Sequence, residues 1–199
     1  MIMAHLSAGY AHDRKGDHAS AMPLLERAHE LCRSSEARLA TPIAAGFLGA
    51  ALLDAGDVEA ALPLLKDAAE TAAGIHLMLY QPLRLARLGR AYYEAGQLLD
   101  ARECAIQAEA LAIEQKEPAV RAEVALLLAE IDARTNQIDL EQLRKRYHFA
   151  LSTAETIEMR PLVAHIHRSL GMLELRAGDP GRAESALQAA QALYAKLGM

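Results

Sequence analysis

Tryptophan is missing from this chain, and aromatic residues together make up only 4% of it. Strands favour aromatic and β-branched side chains, so the shortage argues against a β-rich fold. Cysteine is nearly absent too. Cys32 and Cys104 stand 72 positions apart, which leaves neither a disulfide framework nor a paired metal-binding motif, and both read as packing residues. No run of 18 apolar residues escapes interruption by a charge or a helix breaker, and the N-terminus lacks a basic stretch followed by a compact apolar one. A cytoplasmic chain with no membrane partner is expected. Positive charge is also in deficit: the formal net charge is −5. Binding nucleic acid requires a basic surface that displaces counterions from phosphates, so nucleic acid is excluded as a partner.

The sequence also lacks the usual signatures of chemistry. GxxxxGK[ST], GxGxxG, GxSxG and HExxH do not occur, which removes the standard phosphate cradles, the nucleophile elbow and the helical zinc motif. His165 and His167 lie two apart on an expected helix and therefore point about 200° apart, so they cannot chelate one ion from that helix. His167 is expected to pack against a neighbour and His165 to face the inner groove. Glu26, Glu30 and Glu36 read as solvated helix charges, as does the basic run Arg144-Lys145-Arg146. No catalytic residue, cofactor site or metal site is expected, and the chain does not read as an enzyme.

What is present is a repeat. Gly9, Gly49, Gly89, Ala129 and Gly171 step by 40, 40, 40 and 42 residues, and a fixed period of this size marks stacked supersecondary units. Ala21, Ala61, Ala101, Leu143 and Ala183 follow the same register, as do Ala28, Ala68, Ala108, Ala150 and Ala190. Two helices of a hairpin approach closely where one contributes Gly or Ala and the other a large side chain. Leu25, Leu65, Tyr147 and Leu187 occupy that second column, with Ala105 as its weak member. Gly16, Gly56, Gly96 and Gly178 sit where the first helix of each pair ends in the left-handed conformation, and Asn136 takes the place in repeat four. The extra residues of that repeat are expected in its turn and at Glu141–His148. Asp17 and Asp179 read as N-caps, and Thr41-Pro42 as a helix start whose hydroxyl caps.

The order Gly, turn Gly-Asp, Ala, Leu, Ala resembles the tetratricopeptide repeat. That resemblance implies antiparallel helix pairs stacked into a right-handed superhelix with a concave ligand face, an all-α solenoid of five repeats and about ten helices. The repeats are expected at about 1–36, 37–76, 77–116, 117–158 and 159–199, in a single domain spanning 1–199 that is a fragment of a longer chain. The aromatic usual near the start of the first helix is absent, with His5, Ala45, Leu85, Ala125 and His167 in that column. Long-period repeats of this kind resemble the C-terminal region of bacterial class III adenylate/guanylate cyclases fused to an ATPase module, most closely at Met159–His165 with Gly171 and Tyr194.

First-helix positions that face away from the second helix build the inner surface. By register its candidate partner-binding residues are Tyr10, Asp13, Leu53, Arg87, Arg90, Tyr93, Glu130, Arg168 and Met172, a set in which aromatic and arginine side chains are the natural interface anchors. The chaperone-type carboxylate clamp resembles a set of Lys, Arg and two Asn; the chain has one Asn, Asn136, in a turn, so that clamp is absent. The expected function is a non-catalytic scaffold that holds a protein or peptide segment in the groove or at the terminal repeats, as a regulatory module of a bacterial signalling protein. Self-association through the terminal repeats and a small-ligand sensor are the alternatives.

Overall fold

Residues 1–13, 15–35, 37–135 and 139–198 are described by a computed structural model. Among them are ten α-helices and no strand. The helices are α1 (Ile2–Asp13), α2 (His18–Ser34), α3 (Thr41–Asp54), α4 (Val58–Gly74), α5 (Gln81–Glu94), α6 (Leu98–Glu114), α7 (Pro118–Thr135), α8 (Leu140–Thr156), α9 (Arg160–Arg176) and α10 (Pro180–Leu197). Two compact units divide the chain, Met1–Cys104 and Ala105–Met199, and the division falls inside α6.

In the first unit, α1 pairs with α2 and α3 with α4, α2 and α4 pack on the following α3 and α5, and the odd-numbered helices α1, α3 and α5 touch in sequence. The pairing follows from the small-residue columns. A Cβ added at Gly9 would sit 2.7 Å from Leu25 Cγ, and one at Gly49 would sit 2.8 Å from Leu65 Cγ. Real Cβ atoms do not approach so closely, so glycine is what lets each leucine seat against the facing backbone. Leu25 joins Leu6, Ala21, Ala28, Cys32, Ala44, Leu48 and Ala51 in one buried cluster. Leu65 joins Leu53, Ala61, Ala69, Leu88 and Ala91 in the next.

The second unit repeats the arrangement with α7 against α8, α8 against α9, α9 against α10 and α7 against α9. A Cβ at Gly171 would lie 2.6 Å from Leu187 Cγ. Tyr147, Leu143 and Ala150 of α8 are buried with Leu126 and Ala129 of α7 and Ile166 and Leu170 of α9.

Turn chemistry follows the expected pattern. Gly16, Gly56, Gly96 and Gly178 all have φ between 77° and 87°, where an L side chain is strained. Asp17, Asp57, Asp139 and Asp179 each accept a bond from the backbone N–H three residues on, capping α2, α4, α8 and α10. Asn136 lies outside the described residues.

Three expectations are corrected. Thr41 does not cap α3: its hydroxyl donates back to the Ala37 carbonyl at 3.1 Å, and the helix start rests on Pro42 near its N-terminus. Glu141–His148 holds no turn residues, because α8 is helical from Leu140 to Thr156. The basic run is not a plain solvated face either. Arg144 reaches from α8 to Glu174 of α9 with Nε–Oε1 at 2.7 Å and Nη2–Oε2 at 2.6 Å. Arg146 Nη1 lies 2.6 Å from Asp132 Oδ2 of α7. Both arginines tie α8 to the helices on either side of it.

Candidate binding cleft

The odd-numbered helices of the first unit present a shallow cleft, open to solvent, whose cavity volume is about 30 Å³. Its wall is aromatic. Tyr10 of α1 stacks on Phe47 of α3, ring centroids 4.9 Å apart at 20°, and Phe47 meets Tyr80, just ahead of α5, at 5.8 Å and 55°. Tyr10 remains 37% exposed and Tyr80 41%. Stacked rings supply apolar area at little conformational cost, which is what a docking surface needs. Ile43 and Leu83 add to the apolar lining.

Charge collects beside that wall. Asp13 is 8% exposed, with its Oδ1 3.2 Å from His18 Nδ1. Arg87 Nη1 lies 3.6 Å from Asp54 Oδ1. Burial pushes the Asp13 carboxyl above its ordinary range and Asp54 adds to the push, while His18 and Arg87 pull it back. Removing a carboxylate from water disfavours its charged form, and here the neighbouring cations offset only part of that cost. Arg84, also on the lining, is 5% exposed and bonds to the Gln81 side chain and the Leu79 carbonyl.

The structure brings Tyr10, Asp13 and Arg87 together in this cleft. Arg90 and Tyr93 form a neighbouring pair on α5: the guanidinium carbon stands 5.3 Å from the ring centroid, and Arg90 also reaches Glu94 at 3.5 Å. Tyr93 is itself 8% exposed, so it supports Arg90 more than it offers surface. Leu53 does not belong to the inner surface; it is buried against Leu65, Ala69 and Leu88, because the last turn of α3 faces α4 and α5. Glu130, Arg168 and Met172 lie in the second unit. There Glu130 Oε1 accepts from Ser169 Oγ at 2.9 Å, and Arg168 and Met172 are exposed. His165 does not face a groove: its Nδ1 lies 2.7 Å from the Tyr194 hydroxyl of α10. His167 is partly buried beside Glu155 and His148 of α8, and burial pushes its pKa down.

Phe47, Tyr80, Arg84, His18 and Asp54 were not among the candidates drawn from register alone. Tyr80 precedes its helix and so escapes a count of helix positions. Arg84 carried a legible signal, since the same column holds Ala44, Val124 and Ile166 in the other repeats.

A tetratricopeptide-repeat family model matches residues 139–197, which hold α8, α9 and α10. Solved structures match the whole length. RapI in its apo form superposes with a TM-score of 0.74 at 11% identity, covering 99% of this chain and 84% of that one. The Rap conjugation gene regulator of plasmid pLS20, solved with the Phr* peptide, gives 0.73 at 14%, covering 99% and 63%. TPR-like repeats of a kinesin light chain from Podosopora anserina give 0.66 at 18%, covering 99% and 96%. The fold is that of tetratricopeptide-like helical repeats. No curated protein sequence matches the chain at a significant level. Among the described residues no group of His, Cys, Asp and Glu is placed to hold a metal ion, and no helix is long and apolar enough to cross a membrane.

Proposed function

We propose that this chain is a non-catalytic interaction scaffold that holds a protein or peptide segment against the cleft of its first unit. The observation that carries the reading is the Tyr10–Phe47–Tyr80 wall, three rings contributed by successive repeats and left partly open. Rings spaced along one face suit an extended segment, whose side chains fall at regular intervals. The likeness to a repeat protein solved with a bound peptide supports the same reading. A regulatory role inside a larger cytoplasmic bacterial signalling protein, with residues 1–199 as one repeat domain, extends the proposal; it rests on the resemblance of the long-period repeats to those of the cyclase–ATPase group.

Cross-linking the chain to partners in its source cell, with F47S/Y80S as the control, tests this. Cross-links should fall around Tyr10, Ile43 and Leu83, and the double variant should lose that partner while keeping its helical circular dichroism. Cross-links confined to the outer faces of α2 and α4, or capture unchanged by F47S/Y80S, would remove the cleft from the proposal.

A second reading has one observation of its own. Met172 and Leu175 of α9 are about half exposed, and an apolar pair of this kind suits a second copy of the chain. Light scattering decides it: M172E/L175E should convert any dimer to monomer, and a wild-type chain monomeric at every concentration removes self-association.

A further inference from the structure

Arg84 stands where the repeat calls for an apolar core residue. Ala44, Val124 and Ile166 fill the same column and are fully buried, with Ala4 of the first repeat exposed, and Arg84 is 95% withdrawn from solvent. Its guanidinium donates through Nη1 to the Gln81 Oε1 and through Nη2 to the Leu79 carbonyl at 2.9 Å. Both acceptors are neutral, and together they use two of five N–H donors. The second bond also fixes the loop on which Tyr80 takes its left-handed backbone, φ 60°. Among the described residues no carboxylate pairs with Arg84, and burial alone acts on its pKa, pushing it down. A charge withdrawn from water without a counter-ion is costly, unless a ligand supplies the missing one.

The acids of the same cleft are already answered. Asp54 has Arg87 at 3.6 Å and Asp13 is hydrogen-bonded to His18 at 3.2 Å, whereas Arg84 meets only the neutral Gln81 amide and Leu79 carbonyl. Beside Arg84 lies the aromatic wall of Tyr10, Phe47 and Tyr80.

We propose that the cleft selects a peptide segment carrying an acidic side chain next to an apolar one. The carboxylate accepts from the remaining Arg84 N–H groups, and the apolar side chain lies against the three rings. A guanidinium holding a carboxylate in a water-poor site forms short, charge-assisted bonds that an amide cannot match. This deepens the peptide-scaffold reading and rests on it.

The test uses the full chain, uniformly labelled with nitrogen-15, titrated with three acetylated and amidated peptides: Gly-Leu-Glu-Leu-Gly, its Gln counterpart and its Lys counterpart. The Glu peptide should shift the amides of Tyr10, Phe47, Tyr80 and Arg84 and bind at least about fivefold more tightly than the Gln peptide. R84M, which restores an apolar residue to an apolar column, should bring the Glu peptide down to the Gln value and leave the Gln value unchanged. R84Q serves the same purpose if R84M loses its fold. Equal binding of Glu and Gln peptides, tighter binding of the Lys peptide, or an unchanged Glu-to-Gln ratio in R84M would overturn the acidic preference while leaving a peptide cleft standing. No shift at those amides with any of the three would overturn both.

Discussion

In the second unit Glu174 is 5% exposed, and Arg144 meets its carboxylate through two near-parallel bonds, while Glu141 takes a third donor of the same guanidinium. In the first unit Arg84 is equally withdrawn and meets only an amide and a carbonyl. The two arginines differ in what they do for the fold. Arg144 joins α8 to α9 and holds two repeats in register, with its charge met by the Glu174 carboxylate. Arg84 bonds within its own loop and helix and keeps its full charge. Of the two units, the first has the open aromatic wall and the uncompensated cation, and the second has buried charges that answer each other.

The largest expected effect separates the units by stability. Leu65 is fully buried between α3, α4 and α5, so Leu65→Ala should cost about 2–5 kcal/mol. In a repeat protein each unit leans mainly on its neighbours. Hydrogen exchange should then show lost protection in α3, α4 and α5 and nearly unchanged protection in α9 and α10. Equal loss across all ten helices would mean that the two units unfold as one and that the comparison holds for charge but not for stability.

Much of this was legible in the sequence because close packing leaves a periodic trace. Gly9, Gly49 and Gly171 announced three hairpins, and in each the facing leucine proves to sit where a Cβ would collide. The cleft was less legible for two reasons. Leu53 shares its column with Asp13 and Tyr93 rather than with Tyr10 and Arg90, and all three are only 8% exposed, so the column turns toward the packed helices, a distinction that listing first-helix positions together does not draw. Tyr80 lies on a loop whose path depends on the Arg84–Leu79 bond, a contact between a side chain and a carbonyl that no column of residue types displays. The pairing of Arg144 with Glu174 spans 30 positions, and it made a run that looks solvated into a bridge between helices.

A smaller effect tests the packing itself. Gly49→Ala would place a methyl 2.8 Å from Leu65 Cγ and 3.3 Å from the Ala61 carbonyl oxygen. Overpacking of this sort costs about 1–3 kcal/mol. The leucine end can rotate away but the carbonyl cannot, so G49A combined with L65A should recover only part of the cost of the glycine change. Full additivity of the two in urea denaturation would show that they do not share one contact.

The smallest effect is in the pH dependence, where the two units should slope in opposite directions. Hydrogen bonds from Arg144 hold the Glu174 carboxyl below its ordinary value. The unfolded chain therefore takes up that proton first, and the stabilisation, fully present above the ordinary glutamate range, is lost as pH falls through the folded value. Asp13 is the reverse case: burial, with Asp54 beside it, raises its carboxyl. The folded chain holds that proton longer, so stability declines as pH rises from the ordinary aspartate range through the folded value, and the cost stays in place above it. Urea midpoints measured from pH 3 to 7 should show E174Q losing the acid-side fall and D13N losing the decline above it. Should D13N keep the wild-type slope, the Asp13 charge is as well compensated as that of Glu174. The cleft would then differ from the second unit only at Arg84, and the peptide titration alone would carry the contrast.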